Sequence, residues 1–288
     1  MTTETTETAE TAEAAETAEA AETAEAAEAA EATETTDADH PPRLTRLAFH
    51  GPLSEARAGR IVERLAASGP RTVLDLGCGW GELLLRVLEA VPEATGIGVD
   101  IKGEDLERGR AAAEERGLAE RVLFVEESAT DTDRGPADVV LCLGASQALS
   151  SAAPAQATVE ALRALRGLVA RGGRVVLGEG FWQREPTAAE LAGMWPDADA
   201  GEHLYLGDLV DAAIEAGFRP LWVETASAEE WEEFESGYRS DVEEWLATHP
   251  DHPEAAATRA RVDAQRSSWL RGYRGVLGIT YLTLVPVG

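Results

Sequence analysis

The stretch Val73-Leu74-Asp75-Leu76-Gly77-Cys78-Gly79-Trp80-Gly81-Glu82 is the most informative part of this sequence. An apolar run leads into three glycines at alternate positions, and a leucine-rich amphipathic stretch follows at residues 83–91. This pattern predicts a buried strand that ends in a tight turn, with a helix beginning directly after it. Glycines let the backbone turn sharply and leave no side chain between the main chain and a ligand. A strand, a glycine turn and a helix in this order are typical of a nucleotide-like cofactor site at the carboxyl end of a parallel sheet.

The spacing of the glycines separates this turn from two related ones. A dinucleotide-binding G-x-G-x-x-G turn needs its third glycine at position 82, where this chain has Glu82. A phosphate-binding P-loop needs Lys followed by Ser or Thr after its last glycine, and that pair is missing here. A second strand is predicted at Thr95–Asp100, and it ends in a carboxylate 19 residues after Gly81. At that spacing a strand-end Asp accepts hydrogen bonds from ribose hydroxyls.

An acidic residue two positions before G-x-G-x-G, here Asp75, resembles motif I of the class I S-adenosylmethionine-dependent methyltransferases. Further strands are predicted at residues 122–125, 139–143 and 174–177, at the intervals that a repeated strand–helix unit requires. The resemblance covers about residues 50–225 and the last strand. The alternative, in which the glycines serve only a tight turn, does not account for this ordered series.

The resemblance implies an α/β fold with a doubly wound, seven-stranded, mainly parallel sheet of the Rossmann-like methyltransferase type. The strand order would be 3-2-1-4-5-7-6, with the seventh strand antiparallel. Residues 221–225 and 278–287 are predicted as the sixth and seventh strands. The long segment between them carries aromatic residues at helical spacing, so we expect a helical insertion at about residues 228–274. We interpret this insertion as a lid or cap that faces the substrate. The alternative is an aromatic stripe that only buries a helix on the sheet.

The charge of the chain is unevenly distributed. The formal net charge is −28 over 288 residues, and residues 1–39 contribute thirteen acidic residues without a Lys or Arg. Glu recurs there at every third position, so it would spiral around a helix and leave no apolar stripe. We therefore expect residues 1–39 to be a largely disordered acidic tail and residues 40–288 to form the methyltransferase domain. The body is acidic as well, which argues against a nucleic-acid substrate.

Other features bear on the setting of the protein. The tail lacks the basic start and apolar core of a signal peptide, and no window approaches the length of a membrane span. Cys78 and Cys142 form neither a disulfide framework nor metal-ligand spacing. We expect both to be small buried residues, with no metal, no membrane and a reduced cytoplasmic setting. A single Lys against 24 Arg, with abundant Ala, indicates a bacterial genome rich in G and C.

The resemblance assigns the cofactor, S-adenosyl-L-methionine, to the carboxyl edge of the sheet. Gly77, Cys78, Gly79 and Gly81 would bring their backbone close to its methionine moiety. Asp75 would order the turn or contact the amino group. The turn would therefore hold the reactive end of the cofactor.

Residues after the next strands would hold the rest of the cofactor. Asp100 would accept the ribose hydroxyls, and its alternative role is a helix cap or an exposed strand-end acid. Adenine would lie between the second and third strand ends, where Ile101 offers an apolar face and Ser128 and Ala129 an edge. The common pattern has an Asp before that Ala, whereas this chain has Ser128, so the contact to the exocyclic amine would pass to Ser128 or Glu127. Leu143 would pass beneath the sulfonium.

The residues that would contact the methyl acceptor are indicated less specifically by the sequence than the cofactor residues. Glu179, between glycines at the end of the fifth strand, would pair with a cationic substrate or act as a general base, or only bind loop amides. His50 is the one histidine that we would test as a base, although a lone His is more often on the surface or in the core. Candidate substrate contacts are Gln147, Trp182, Tyr205, Trp231 and Tyr238.

These residues predict an enzyme that transfers a methyl group from S-adenosylmethionine to a small-molecule acceptor with an N, O or C nucleophile, by in-line displacement. Two alternatives stay open: a protein that binds the cofactor only as a regulatory ligand, and a methyltransferase that acts on protein or RNA. No Asn-Pro-Pro-Tyr-like run follows the fourth strand. That tetrapeptide marks base and glutamine N-methyltransferases, so its absence disfavours DNA adenine methylation. We expect a monomer or a homodimer.

Overall fold

The computed structural model describes residues 41–287 except 43, 45, 131, 151 and 153. The predicted acidic tail lies outside these residues. One sheet is built from β1 Thr72–Leu76, β2 Thr95–Asp100, β3 Val122–Glu126, β4 Ala137–Leu143, β5 Val169–Trp182, β6 Phe218–Thr225 and β7 Leu277–Pro286. Its order is β3-β2-β1-β4-β5-β7-β6. Strands β1 to β5 are parallel, and β7 is antiparallel to both of its neighbours. The predicted fold class and strand order are confirmed.

The helices are α1 Glu55–Ala66, α2 Glu82–Ala90, α3 Gly103–Glu115, α4 Pro154–Leu168, α5 Ala188–Leu191, α6 Leu206–Glu215, α7 Ala228–Thr248 and α8 Ala255–Ser268. Three of them, α1, α5 and α7, begin where the sequence supplies a side-chain cap. The side chain of Ser54 accepts the N–H of Arg57 at the start of α1, and Ser227 and Glu230 form a reciprocal capping box at the start of α7. Among the described helices, none combines the length and the apolar character of a membrane span.

Both faces of the sheet are covered, because alternate residues of each strand point to opposite sides. Val73 and Leu141 pack with side chains of α1, α2 and α3 on one face. Leu74 and Val140 pack with α4 and α6 on the other face. All four side chains are almost fully buried. The central strands are therefore continuous apolar runs, and their carboxyl ends are left as the open edge between the two helical layers.

Helices α7 and α8 lie between β6 and β7, where the sequence predicts the insertion. They pack on each other through an apolar cluster that includes Val242, Trp245 and Val262. Helix α7 also packs on the segment formed by residue 44 and residues 46–53, which we call the strap. Leu44 and Leu47 of the strap lie in one cluster with Phe234 and Tyr238 of α7. The insertion and the strap therefore meet above the same edge of the sheet.

Strand β5 is longer than the predicted 174–177. It starts at Val169, where it pairs with Ala137, and the register then shifts so that Arg174 pairs with Val139. It continues to Trp182 because β7 pairs with it along its second half, up to the partner Leu277. This extension carries β5 past the end of β4 and beneath the insertion.

Candidate active site

A cavity of about 630 Å³ lies at the carboxyl ends of β1, β2 and β4, within the size range of small-molecule and cofactor sites. The turn after β1, the strap, α7 and β7 contribute to its wall. The predicted cofactor residues in the lining are Asp75, Gly77, Cys78, Gly79, Asp100, Ile101, Ser128, Ala129 and Leu143. The predicted acceptor residues in the lining are His50, Gln147 and Trp231. The fold thus brings residues from distant parts of the chain around one space.

Two glycines of the turn after β1 have different roles. Gly79 has φ of +54°, and a Cβ on it would meet no atom within 4 Å, so the turn leaves open space at this point of the lining. Gly81 also has a positive φ, +67°, but a Cβ there would lie 2.6 Å from the ring of Phe124. Gly81 is the N-cap of α2 and is not part of the cavity lining. Its missing side chain is required by packing against Phe124, and the predicted cofactor contact of Gly81 stays a prediction.

Two carboxylates flank this turn. Asp100 accepts the backbone N–H of Gly79 at Oδ2, at 2.8 Å, and the N–H of Lys102 at Oδ1, at 3.0 Å. Asp100 thereby fixes the turn to the end of β2, and each of its oxygens keeps a lone pair for a ligand. Burial, with the charge of Asp100 as a smaller cause, raises the pKa of Asp75 to about 7. A cationic amino group in the cavity would favour the ionised form of Asp75.

The lining after β2 and β3 differs in character from the turn. Ile101 is 70 % exposed although it lines the cavity, so it offers an apolar surface for a flat ligand. Ser128 accepts the N–H of Thr130 at 3.2 Å and shapes the turn after β3. Glu127 is paired with Arg134, whose hydrogen bond lowers the pKa of Glu127. An apolar face beside hydrogen-bonding groups suits an adenine ring.

Sequence reasoning missed the interactions that hold the strap against the turn. Trp80 donates its Nε1–H to the carbonyl of Ala48 at 2.8 Å. Arg108 of α3 donates to two strap carbonyls, and its guanidinium lies 3.9 Å from the centroid of the Trp80 ring. His50 stacks on Trp80 with the ring centroids 5.6 Å apart. The Trp in the motif was the available signal, because a large ring inside a glycine turn needs a partner to cover it.

Helix α7 forms another wall of the cavity, with Trp231 and Phe234 in the lining. Glu230 anchors its first turn: it accepts the N–H of Ser54 at 3.1 Å, the hydroxyl of Ser54 at 2.6 Å and Arg57 at 2.8 Å. Burial alone would raise the pKa of Glu230, but the hydrogen bonds from Arg57 and Ser54 outweigh it and hold the pKa at about 2. Ionised Glu230 therefore joins α7 to α1 and to the end of the strap.

Glu179, predicted as a catalytic group, lies outside the cavity lining. Its neighbour Gly178 lines the cavity, and consecutive residues of a strand point to opposite faces, so Glu179 points away. Its buried carboxylate accepts the N–H of Gly180 and a hydrogen bond from the side chain of Ser146, while burial raises its pKa to about 7. Glu179 therefore lies behind the cavity wall, and its predicted contact with the acceptor stays a prediction.

Three predicted substrate contacts are also outside the lining. Trp182 belongs to the core, where it is 1 % exposed and donates its Nε1–H to the carbonyl of Ala200 at 2.8 Å. Tyr205 is the N-cap residue of α6 and lies beside the end of β5. Tyr238 stacks on His50 with the ring centroids 6.4 Å apart, so it supports a lining residue without lining the cavity itself.

Cys78 and Cys142 are unbridged, and burial raises the pKa of both thiols. In the described part of the chain, no three His, Cys, Asp or Glu side chains cluster as metal ligands would.

Comparison with known proteins agrees with this geometry. The family profile of a methyltransferase domain matches residues 73–168, which run from β1 to the end of α4. The uncharacterized protein YjhP of Escherichia coli is 26 % identical over 238 residues, which are 82 % of this chain and 93 % of YjhP. The X-ray structure of YjhP superposes with a TM-score of 0.71 and covers 85 % of this chain and 100 % of that one.

A methyltransferase from Geobacter sulfurreducens has the same fold. Its crystal structure, described as an S-adenosylmethionine-dependent enzyme in complex with S-adenosyl-L-homocysteine, has a TM-score of 0.72 at 23 % identity. The match covers 85 % of this chain and 98 % of that one. Residues 73–168 thus match a methyltransferase domain, and the sheet has the strand order of the Rossmann-like methyltransferase fold.

Proposed function

We propose that this protein transfers a methyl group from S-adenosylmethionine to a small-molecule acceptor with an N, O or C nucleophile. The observation that carries the proposal is one cavity that joins Gly79 and Asp100 to a largely apolar compartment beneath the strap and α7. Methyl transfer needs the nucleophile, the methyl carbon and the sulfur in line and away from water. A shared, partly enclosed space meets that requirement.

The residues of the cavity fit the cofactor. Asp75 suits its amino group, because an adjacent cation would offset the burial that raises the pKa of this carboxylate. Asp100 suits the ribose hydroxyls, Ile101 the adenine face, and the open space at Gly79 admits the ligand close to the backbone. When bound, S-adenosylmethionine supplies a methyl group activated by a sulfonium sulfur.

The chain's own residues then align the acceptor and exclude water. The acceptor's lone pair forms the new bond to the methyl carbon, the carbon–sulfur electron pair returns to sulfur, and any proton on the nucleophile leaves to a base or to solvent. We assign the base role to His50, because it lines the cavity and its ring stacks on both Trp80 and Tyr238. Substitution His50→Gln would then lower turnover and leave cofactor affinity unchanged.

Calorimetry with S-adenosylmethionine and S-adenosylhomocysteine tests whether the cofactor binds. Consumption of the methyl donor in the presence of a metabolite library tests whether a methyl group is transferred to an acceptor. Binding of both ligands with turnover of one library compound supports the proposal. Absence of binding would overturn it. Tight binding without turnover across the library would favour the regulatory-ligand alternative.

A further inference from the structure

The two ends of the cavity differ in charge. Asp75, Asp100 and Asp105 line the end formed by β1 and β2, together with Lys102. We call this the carboxylate end. Two further acids of the lining, Glu82 and Glu127, are ion-paired with arginines. The unpaired charge at this end is therefore mainly negative.

The opposite end is formed by strap residues 49–53, the turn after β4, Gly178, α7 and the cavity-facing residues of β7. We call it the acceptor compartment. No Asp, Glu, Lys or Arg lines it within the part of the chain that the structure describes. Its polar groups are those of His50, Gln147, Trp231 and Tyr281, and burial raises the pKa of Tyr281, so that its hydroxyl stays neutral.

Charges near this compartment are already matched. Arg57 lies 5.9 Å from the ring centroid of Tyr281, but it is bound to Glu230 at 2.8 Å and also pairs with Glu224. An arginine held by two carboxylates has little attraction left for an additional anion. Among the described residues, the lining of the compartment therefore offers a bound ion no charged side chain as a direct partner.

From this contrast we infer that the methyl acceptor is an uncharged, largely apolar molecule that presents a neutral nucleophile; the inference rests on the proposed function. An ion that enters the compartment loses hydration without gaining a partner. Without the cofactor bound, an anion would also approach the three carboxylates of the other end. A protonated amine would be drawn towards those carboxylates, and it has no lone pair with which to attack the methyl carbon.

Gln147 provides a way to change this selectivity. It is exposed, lies in the short turn after β4, and makes only a local bond from its amide to the carbonyl of Gly144 at 3.2 Å. Substitution Gln147→Arg would place a cation in the lining with little effect on the core. Gln156→Arg, at an exposed position of α4, makes the same change of charge outside the cavity.

Calorimetric titration of three ligands with one ring system tests the inference: 2-naphthol, 2-naphthoate and 2-naphthylmethylammonium. Each is titrated into the wild type and both variants, with and without S-adenosylhomocysteine. We expect 2-naphthol to bind the wild type about tenfold more tightly than either ion, because only the ions lose hydration uncompensated. We expect Gln147→Arg to raise 2-naphthoate affinity by about tenfold and Gln156→Arg to leave it unchanged.

Each outcome has a defined meaning. An ion that binds the wild type as tightly as 2-naphthol overturns the inference, and so does the absence of any preference for 2-naphthol. A Gln147→Arg variant with unchanged 2-naphthoate affinity would show that the ligands bind outside the compartment, which also overturns it. The wild type's affinity for S-adenosylhomocysteine is measured in the same samples. If the wild type does not bind S-adenosylhomocysteine, that result counts against the proposed function. The titrations without S-adenosylhomocysteine still measure the charge preference of the compartment.

Discussion

The backbone N–H of Gly79 donates a hydrogen bond to Oδ2 of Asp100 over 2.8 Å. This bond ties the middle glycine of the turn after β1 to the carboxylate at the end of β2. Both residues line the cavity, so the group that orders the turn is also placed to bind a ligand. The two functions of Asp100 can be separated by measuring stability and affinity on the same variants.

We expect Asp100→Ala to weaken S-adenosylhomocysteine binding by about 1.5–3 kcal/mol, the range for hydrogen bonds to a charged group. Calorimetry measures the affinity, and a thermal melt of the same sample shows whether the fold is kept. Asp211→Ala, at an exposed position of α6, is the matched control. Unchanged affinity in a folded Asp100→Ala variant would reject the ribose assignment.

Gly79 and Gly69 form a natural pair of test and control. Both have positive φ, +54° and +63°, and both have open space where a Cβ would stand, but only Gly79 lines the cavity. Substitution by Ala at either site imposes similar backbone strain of about 1 kcal/mol. We expect both variants to melt earlier by a comparable amount and only Gly79→Ala to lose S-adenosylhomocysteine affinity. Equal affinities would mean that the ligand does not approach the turn.

The sheet order and the cofactor side of the site were predictable because they depend on local patterns. Each strand is an apolar run, each turn residue follows its strand directly, and parallel strands bring their carboxyl ends to one edge. Asp100 was located by its distance along the chain from Gly81, and the structure places it in the cavity lining. Its role in binding ribose stays a prediction.

The acceptor side was less predictable because it depends on long-range contacts. The hydrogen bond between Ser54 and Glu230 anchors α7. These residues are 176 positions apart in sequence, and neither residue type by itself predicts the other as its partner. Glu179 shows a second limit. With both faces of the sheet buried, hydrophobicity does not reveal which of Gly178 and Glu179 faces the cavity. Trp182, predicted as a substrate contact, is buried in the core, because an aromatic side chain at a strand end suits a core as well as a pocket.

Glu230 should make the attachment of α7 dependent on pH. Its pKa is held at about 2, below the ordinary value of 4.5, so its contribution to stability is present above about pH 4.5 and is lost as the pH falls towards 2. Glu230→Gln removes that contribution. We therefore expect the difference in unfolding free energy between wild type and Glu230→Gln to be about 1–3 kcal/mol at pH 7 and to shrink towards pH 3.

Chemical denaturation at a series of pH values measures this difference. Glu229→Gln, an exposed acid in the same first turn of α7, is the control and should show a small difference that varies little with pH. A difference for Glu230→Gln that stays constant from pH 7 to pH 3 would contradict the role of its charge.

The last prediction concerns whether α7 acts as a lid or only as a packed helix, and two tryptophans of this helix separate the possibilities. Trp231 lines the cavity and is half-buried, whereas Trp245 is 6 % exposed and lies in the apolar cluster between α7 and α8. Truncation of a buried aromatic typically costs about 3–5 kcal/mol of stability, so Trp245→Ala should melt early and keep its kinetic constants at low temperature.

Trp231→Ala should behave in the opposite way. Because Trp231 walls the acceptor compartment, its loss should raise the acceptor's KM or lower kcat through poorer positioning and water exclusion, while S-adenosylhomocysteine affinity changes little. Thermal melts, cofactor titrations and steady-state kinetics on both variants decide the matter. If Trp231→Ala melts as early as Trp245→Ala and keeps its KM and kcat at low temperature, the lid interpretation fails, because both tryptophans would then serve only to bury the helix.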